Sequence, residues 1–293
     1  DWVNKYLYGQ PGCASVTITT NNGDDFILPC AQSCTTLDAY AIQTSGETSN
    51  YSVSAIPYAP PYPFDTGSAI LVNIDDRWSD ITDLPFTFCF FGKSYNKIIV
   101  GANGIISFDT WEQNGYCDWE FSDTCPSPNI YPGGAHSLIF GVYHDIDPTY
   151  AGSIHCAVLG EYPCRTFVVS WYQLPYFCDT SDHSDPCLPF RATHQIVLYE
   201  TSNIIEVYIG DSPSCPSWNN GNQLVGIQDS TGTMGITAPG RNTGNWNASN
   251  EAWRFTPTGS SIVQISWYDE ASFLGTGNSM NVCPVANTTY TAE

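Results

Sequence analysis

The residues with the clearest chemical potential are His144-Asp145-Ile146-Asp147-Pro148, directly after an apolar run at 138–142. Because side chains of an extended strand alternate between its faces, Asp145 and Asp147 point to the same side if the strand continues. Carboxylates at a strand end can bind Ca²⁺, which takes about six to eight oxygen ligands. The alternative is that both aspartates cap a turn through their side chains. We expect Asp145 and Asp147 to form a metal site, with Ca²⁺ as the one cofactor.

A second group combines tryptophan with acids. Trp111, Asp118, Trp119 and Glu120 lie in one segment rich in turn residues. Exposed tryptophan beside carboxylates is typical of glycan-binding surfaces, and loops on a rigid scaffold often carry binding. The alternative is that these tryptophans belong to the core, where most aromatic side chains are buried. We expect these four residues to bind a ligand.

Other polar motifs indicate structure rather than catalysis. In Asp75-Asp76-Arg77-Trp78 we expect Arg77 to pair with one carboxylate. The sequence has no GxSxG elbow and no HExxH motif. With 29 acidic residues, a pair of carboxylates suited to glycoside hydrolysis arises by chance. We therefore expect no catalytic residues and no enzymatic activity.

The charge balance excludes several partners. The 293 residues include 8 Lys+Arg against 29 Asp+Glu, a net charge of −21. Binding to nucleic acid or to an anionic membrane needs clustered basic residues, which eight scattered ones do not provide. No stretch approaches the roughly 18 apolar residues of a membrane span. The N-terminal residues lack the basic and apolar regions of a signal peptide, which favours a secreted, extracellular protein after signal removal.

Twelve cysteines without a CxxC motif favour disulfides over zinc, and hence an oxidising compartment. Three local pairs are expected, Cys117 with Cys125, Cys156 with Cys164 and Cys178 with Cys187. Cys283 is expected to have its partner beyond residue 293. The expected disulfide cysteines are Cys13, Cys30, Cys34, Cys89, Cys117, Cys125, Cys156, Cys164, Cys178, Cys187, Cys215 and Cys283.

Short runs rich in β-branched and aromatic residues alternate with turn clusters such as Asn103-Gly104, and helical patterns are nearly absent. This pattern predicts an all-β sandwich stapled by disulfides, of jelly-roll or similar topology. We expect three parts: a Cys-containing segment at 1–55 that packs on the main body, a β-sandwich at 56–258, and the first strands of an incomplete Ig-like module at 259–293. The proline-rich stretch at 56–64 is expected to be extended, with its tyrosines packed on a sheet. Residues 256–261 are expected to form a linker.

The main body resembles the NIDO-type extracellular domain of nidogen-like and mucin-like proteins. The resemblance rests on LPFTFCFFG at 84–92 and on segments 100–108, 138–148, 166–172, 194–199 and 203–207. Further segments resemble the N-terminal region of very large surface proteins of Bacteroidota, of the gliding-motility-associated and adhesin-like type; these are 56–64, 72–79, 218–222, 226–229, 238–245 and 251–257.

The resemblance implies a β-rich surface module without catalytic function, carried by cargo of the type IX secretion route. We expect it to act in adhesion or assembly, with further modules of the same polypeptide, glycans or cell-surface proteins as partners. Two alternatives stay open. One is a carbohydrate-binding module or glycoside hydrolase. The other is a filament subunit assembled by strand addition.

Overall fold

A computed structural model describes residues 27–29, 32–39, 47–71, 73–134, 136–177, 185–259 and 265–292. These residues form nineteen strands and one short 3₁₀ helix, Asn219–Gly221, with no α-helix among them. The strands, β1 to β19 in chain order, are Thr35–Asp38, Glu47–Ala55, Ser68–Ile70, Thr82–Phe90, Lys93–Gly101, Ile105–Ser107, Leu138–Tyr143, Ser153–Leu159, Thr166–Pro175, Arg191–Tyr199, Ile205–Ser212, Asn222–Gln228, Gly235–Thr237, Gly244–Asn245, Ala248–Gly259, Ser266–Asp269, Ser272–Thr276, Ser279–Val282 and Tyr290–Ala292. The all-β prediction is confirmed.

Among the described residues, no helix has the length and apolar character needed to cross a membrane.

Two antiparallel sheets form the sandwich. One has the order β2-β15-β11-β10-β9-β8-β3, and the other has the order β13-β12-β7-β6-β5-β4 with β14 paired to β12. The main core lies between them and contains Phe88 and Ile98 of one sheet beside Val169 and Ile196 of the other. Successive side chains of β10 point to opposite faces of the sheet, because side chains alternate along a strand. Ile196 therefore faces this core, whereas Val197 lies in a second cluster.

The proline-rich stretch covers that second cluster. Ile56, Tyr58, Tyr62 and Phe64 pack against a buried group formed by β9, β10, β11 and β15. Gln195 donates a hydrogen bond to the Tyr62 carbonyl over 3.1 Å. The expectation that these tyrosines pack on a sheet is confirmed, and it explains why β10 is buried on both faces.

The connection from β6 to β7, residues 108–137, covers the other sheet. Its Phe121, Ile130 and Tyr131 form a cluster with Trp78 and with residues of β5, β6 and β7. The Trp78 indole N–H donates to the Tyr131 hydroxyl over 2.7 Å, so both polar atoms of this aromatic pair are satisfied inside the cluster. This long connection is therefore a packed layer.

The predicted linker at 256–261 is wrong over its first four residues. Strand β15 continues to Gly259 and pairs with β2, with Pro257 opposite Tyr51 and Gly259 opposite Glu47. The ladder to β2 supplies hydrogen bonds that composition does not reveal.

The ends of the described chain meet in a small unit. Strand β1 pairs with β18, and Cys34 is bonded to Cys283 across 249 residues of sequence. Strands β17, β16 and β19 form a three-stranded sheet whose Trp267 packs with Ala39 and Ile265. Cys283 therefore has its partner within this chain, and the expectation of a partner beyond residue 293 is wrong.

The three local disulfide predictions are also wrong. Cys187 is bonded to Cys215, Cys164 is disulfide-bonded, and Cys156 is a free thiol. Cys117 and Cys125 are free thiols and lie in the apolar cluster between the connection 108–137 and the sheet that it covers.

That connection is held by other bonds. Asn242 donates to the Cys125 carbonyl over 2.9 Å and accepts from its N–H over 3.0 Å. Cys89 is a free thiol as well. Cys13, Cys30 and Cys178 lie outside the described residues.

Candidate functional site

Asp75 and Asp76 lie in the connection between β3 and β4. Leu71, Asn73 and Asp76 have φ angles of 51°, 53° and 45° in this connection. Asn and Asp tolerate this left-handed region because their short side chains bond locally. The Asp75 carboxylate accepts the Asp76 N–H over 2.9 Å.

Asp145 follows β7, which ends at Tyr143. The segment after it is fixed to the end of β9, because Asp147 N–H donates to the Pro175 carbonyl over 2.9 Å and Ile146 forms a β-bridge with Tyr176. The Asp145 residue is 4 % exposed. A buried, largely apolar strand thus delivers a buried carboxylate at its end.

Asn103 joins the two segments. It lies in the hairpin between β5 and β6, as the Asn103-Gly104 motif predicted, and is fully buried. Its side-chain amide donates over 2.9 Å to the Asp76 carboxylate and over 2.9 Å to the Cys117 carbonyl. Its side-chain oxygen accepts the Ile146 N–H over 3.2 Å. One amide thus fixes three chain segments relative to one another.

These contacts create an acidic cluster of Asp75, Asp76 and Asp145. One carboxylate oxygen of each lies within 4.8 Å of the others. Burial, and then the charge of Asp76, raise the pKa of Asp75 to about 7. Burial also raises the pKa of Asp145 to about 8, and the neighbouring aspartates add to this shift. The pKa of Asp76 is raised by burial, against the opposing effect of its hydrogen bond from Asn103.

Two tryptophans border this cluster. The Trp218 indole N–H donates to Asp145 Oδ2 over 2.7 Å. The Trp119 ring lies 5.4 Å from the Trp218 ring, and Asn219 donates to the Trp119 carbonyl over 3.3 Å. The Cys187–Cys215 disulfide lies three residues before Trp218 and fixes the start of its segment. The structure therefore joins Trp119, predicted as a ligand-binding residue, to Asp145, predicted as a metal ligand.

Asp147 has a different environment. Its Oδ1 atom accepts the Thr149 N–H over 2.7 Å and the Thr149 hydroxyl over 2.5 Å. This is the turn-capping arrangement weighed as the alternative for both aspartates. Beside Asp145 the structure places Asp75 and Asp76, and their predicted partner Arg77 forms no ion pair among the described residues.

The other predicted ligand-binding residues are dispersed around the covering layer. Trp111 is 67 % exposed and its ring stacks on His136 at 4.8 Å. Asp118 is half-buried, and burial and the charge of Asp76 raise its pKa. Glu120 is exposed.

A surface depression of about 350 Å³ opens beside the acidic cluster. It is lined by Ile74, Asp75, Asp76, Arg77, Asn114, Gly115 and Tyr116. The Tyr116 hydroxyl donates to the Asp76 carboxylate over 3.3 Å, and the residue is 56 % exposed. The cluster is thus reachable from solvent past an exposed aromatic ring.

The comparison with protein families matches residues 50–263 to the family described as NIDO related, nearly three quarters of the chain. The chain belongs to the NIDO-related family. The matched range contains both seven-stranded sheets except the first residues of β2, and all three carboxylates of the acidic cluster. The NIDO-related region thus begins and ends a few residues outside the predicted 56–258. Neither the curated proteins nor the solved structures give a match.

Sequence reasoning missed four residues of the candidate site. Trp218 was noted only as part of a resembling segment, Asn103 only as a turn residue, and Asp75 and Asp76 only beside Arg77. The local signal for Asp75 was its adjacency to Asp76 in a turn. Nothing local indicated that this turn meets the end of β7.

Proposed function

We propose that this NIDO-related chain is a non-enzymatic extracellular module of a larger surface protein and acts in adhesion or assembly by binding glycans. The observation that carries the proposal is the exposed aromatic surface of the layer at 108–137. Trp111 and Tyr116 are 67 % and 56 % exposed, and acidic side chains lie next to them.

The rigidity of this layer favours binding. Trp111 stacks on His136, and Tyr131 is fixed by Trp78 beneath it. An aromatic ring held in one orientation loses little conformational entropy when it stacks on the apolar face of a sugar. Neighbouring carboxylates accept hydrogen bonds from sugar hydroxyls.

The burial of the acidic cluster favours binding over hydrolysis. A glycosidase places two carboxyl groups on either side of the scissile bond. Asp145 is 4 % exposed, so a sugar ring does not fit between it and Asp75 or Asp76.

Two further features support a surface location. Disulfides such as Cys34–Cys283 fit an oxidising compartment. The segments at 56–64 and 251–257 resemble surface proteins of gliding Bacteroidota that are exported by the type IX route. We assign the chain to that setting on this resemblance.

A glycan array followed by titration calorimetry tests the proposal. We expect saturable binding of at least one glycan, weakened about tenfold or more by Trp111→Ala or Tyr116→Ala, as for a stacked aromatic anchor. The matched control is Tyr150→Ala, because Tyr150 is 63 % exposed but lies outside the covering layer. Absence of binding, or equal binding by all three variants, would overturn the proposal. Release of free sugar would overturn its non-enzymatic part.

A further inference from the structure

The unused oxygen atoms of the acidic cluster indicate a ligand of another kind. Asp75 Oδ1 accepts the Asp76 N–H, and Asp76 Oδ1 accepts from Asn103. The Asp76 carboxylate also accepts the Tyr116 hydroxyl over 3.3 Å and a hydrogen bond from the Trp119 side chain. Within the described part of the chain, Asp75 Oδ2 and Asp145 Oδ1 accept no hydrogen bond.

Asp145 provides the independent observation. It is 4 % exposed, and its Oδ1 atom has no hydrogen-bond partner, while Oδ2 is held by Trp218. A buried carboxylate oxygen without a donor is costly unless a cation or a proton satisfies it. No arginine or lysine of the described residues forms an ion pair with Asp75, Asp76 or Asp145.

We propose that Asp75, Asp76 and Asp145 bind one divalent cation of the Ca²⁺ class. Two oxygens that each lie about 2.3–2.6 Å from one Ca²⁺ are at most about 5 Å apart. The carboxylate oxygens of the cluster meet this limit, since they lie within 4.8 Å of one another. Mg²⁺ usually keeps several water ligands and binds one or two carboxylates, so a site that supplies three carboxylates favours Ca²⁺.

The surroundings supply the remaining requirements. The depression of about 350 Å³ beside Asp75 and Asp76 gives solvent access for the water ligands that Ca²⁺ needs beyond three carboxylates. The Asn103 amide fixes the Asp76 side relative to the segment after β7. The cation would thus join the turn after β3 to the end of β7. The cation proposal does not rest on the glycan-binding proposal, although the two sites share Tyr116, which lines the depression and donates to Asp76.

Calorimetric and thermal titration of the EDTA-treated protein with Ca²⁺ tests the site. We expect one Ca²⁺ per chain, a higher Tm with Ca²⁺, and weaker binding of Mg²⁺. Asp75→Asn and Asp145→Asn should each reduce Ca²⁺ affinity at least about tenfold, since even supporting residues of metal sites have effects of this size. Terbium luminescence sensitised by the nearby tryptophans should be weaker in both variants than in the unaltered protein.

Two matched controls separate ligation from stability. Asp147→Asn should lower Tm through its lost turn bonds and weaken Ca²⁺ binding less than Asp145→Asn does, because only its charge acts on the cluster. Asp83→Asn removes an exposed acid outside the cluster and should keep Ca²⁺ binding. No heat and no Tm shift in the unaltered protein would overturn the proposal. Equal Ca²⁺ affinity of Asp75→Asn and Asp83→Asn would overturn the assigned ligands, and equal Mg²⁺ affinity would overturn the ion class. Asp75 lies in a half-buried surface turn, so its variant remains informative if Asp145→Asn does not fold.

Discussion

The bond from Trp218 to Asp145 makes a specific prediction about stability and pH. Trp218→Phe removes the indole N–H that donates to Asp145 Oδ2 over 2.7 Å but keeps an aromatic ring beside Trp119 and Phe177. The other Asp145 oxygen has no partner. In the variant, this buried carboxyl therefore loses its one N–H donor.

The size of the loss depends on the charge of Asp145. Burial raises its pKa to about 8, so in metal-free protein it is protonated near pH 6 and ionised near pH 9. A hydrogen bond to a neutral acceptor contributes about 0.5–1.5 kcal/mol, and one to a charged acceptor contributes about 1.5–3 kcal/mol. We expect Trp218→Phe to lower the free energy of unfolding by about 1 kcal/mol near pH 6 and about 2 kcal/mol near pH 9.

The sign follows from proton linkage. An acid whose pKa is higher in the folded state makes the protein less stable as pH rises from the unfolded pKa to the folded one. The Trp218 bond lowers the pKa of Asp145 against the effect of burial, so its removal enlarges that decline. Burial lowers the pKa of His144 to about 3, which makes stability rise with pH in the acid range. That contribution is common to both proteins and cancels in the difference.

Urea denaturation in EDTA at the two pH values measures this prediction. Trp111→Phe is the matched control, because Trp111 is 67 % exposed and its ring stacks on His136. We expect the control to change the free energy of unfolding by less than about 0.5 kcal/mol at either pH. An equal loss for Trp218→Phe near pH 6 and pH 9 would refute the reasoning, as would a loss no larger than that of the control.

Two further predictions concern the scaffold. Arg254→Met should lower the free energy of unfolding, measured by urea denaturation, by about 3–5 kcal/mol. The reason is that Arg254 donates to the fully buried Glu206 carboxylate over 2.6 Å, and the variant leaves this carboxylate without a cation. A loss below about 1 kcal/mol would contradict this. Gly104→Ala should lower Tm far more than Gly92→Ala, although both glycines have positive φ. A Cβ at Gly104 would lie 2.0 Å from the Val142 carbonyl oxygen, whereas none of the described atoms lies within 4 Å of a Cβ at Gly92. Equal Tm losses would count against the close approach.

The sequence predicted strands well where both faces are buried. β7 is a continuous apolar run, and β9, β10 and β11 each contain a run rich in β-branched and aromatic residues, so composition identifies the central part of each strand. β2, with the sequence ETSNYSVSA, is an edge strand with mostly exposed side chains and was not predicted. The polar composition of such a strand does not distinguish it from a loop, because its hydrogen bonds go to a partner about 200 residues away.

Cysteine pairing failed for the same reason. Spacing favours local loops, but Cys34 and Cys283 meet because β1 pairs with β18. Cys117 and Cys125 belong to an apolar cluster that only the folded layer creates. The local sequence shows how far apart two cysteines are along the chain. It does not show whether the fold brings their sulfur atoms together.

The candidate site shows the same division. Asp145 was predicted because a buried run ends just before it, which is a local pattern. Asp75 and Asp76 were recognised as an acidic turn, but Arg77 next to them suggested a local ion pair that the described structure lacks. The meeting of the two segments depends on Asn103, whose three hydrogen bonds join residues that are far apart in sequence.

The distribution of basic residues leaves this cluster without a paired cation among the described residues. Of the cations in the described residues, Arg165, Arg241 and Arg254 each pair with a glutamate on the sandwich, and Lys97 pairs with Asp83. The others bond to neutral groups or form no ion pair: Lys93 donates to the Ser230 hydroxyl, Arg191 donates to backbone carbonyls, and Arg77 is exposed.

Glu200, Glu206 and Glu251 are thus each paired with an arginine, whereas Asp75, Asp76 and Asp145 form no ion pair among the described residues. At Asp145, which is 4 % exposed, a proton or a cation from solution must offset the negative charge. Because protonation weakens as pH rises, the stability of this end of the protein at alkaline pH should depend on the cation.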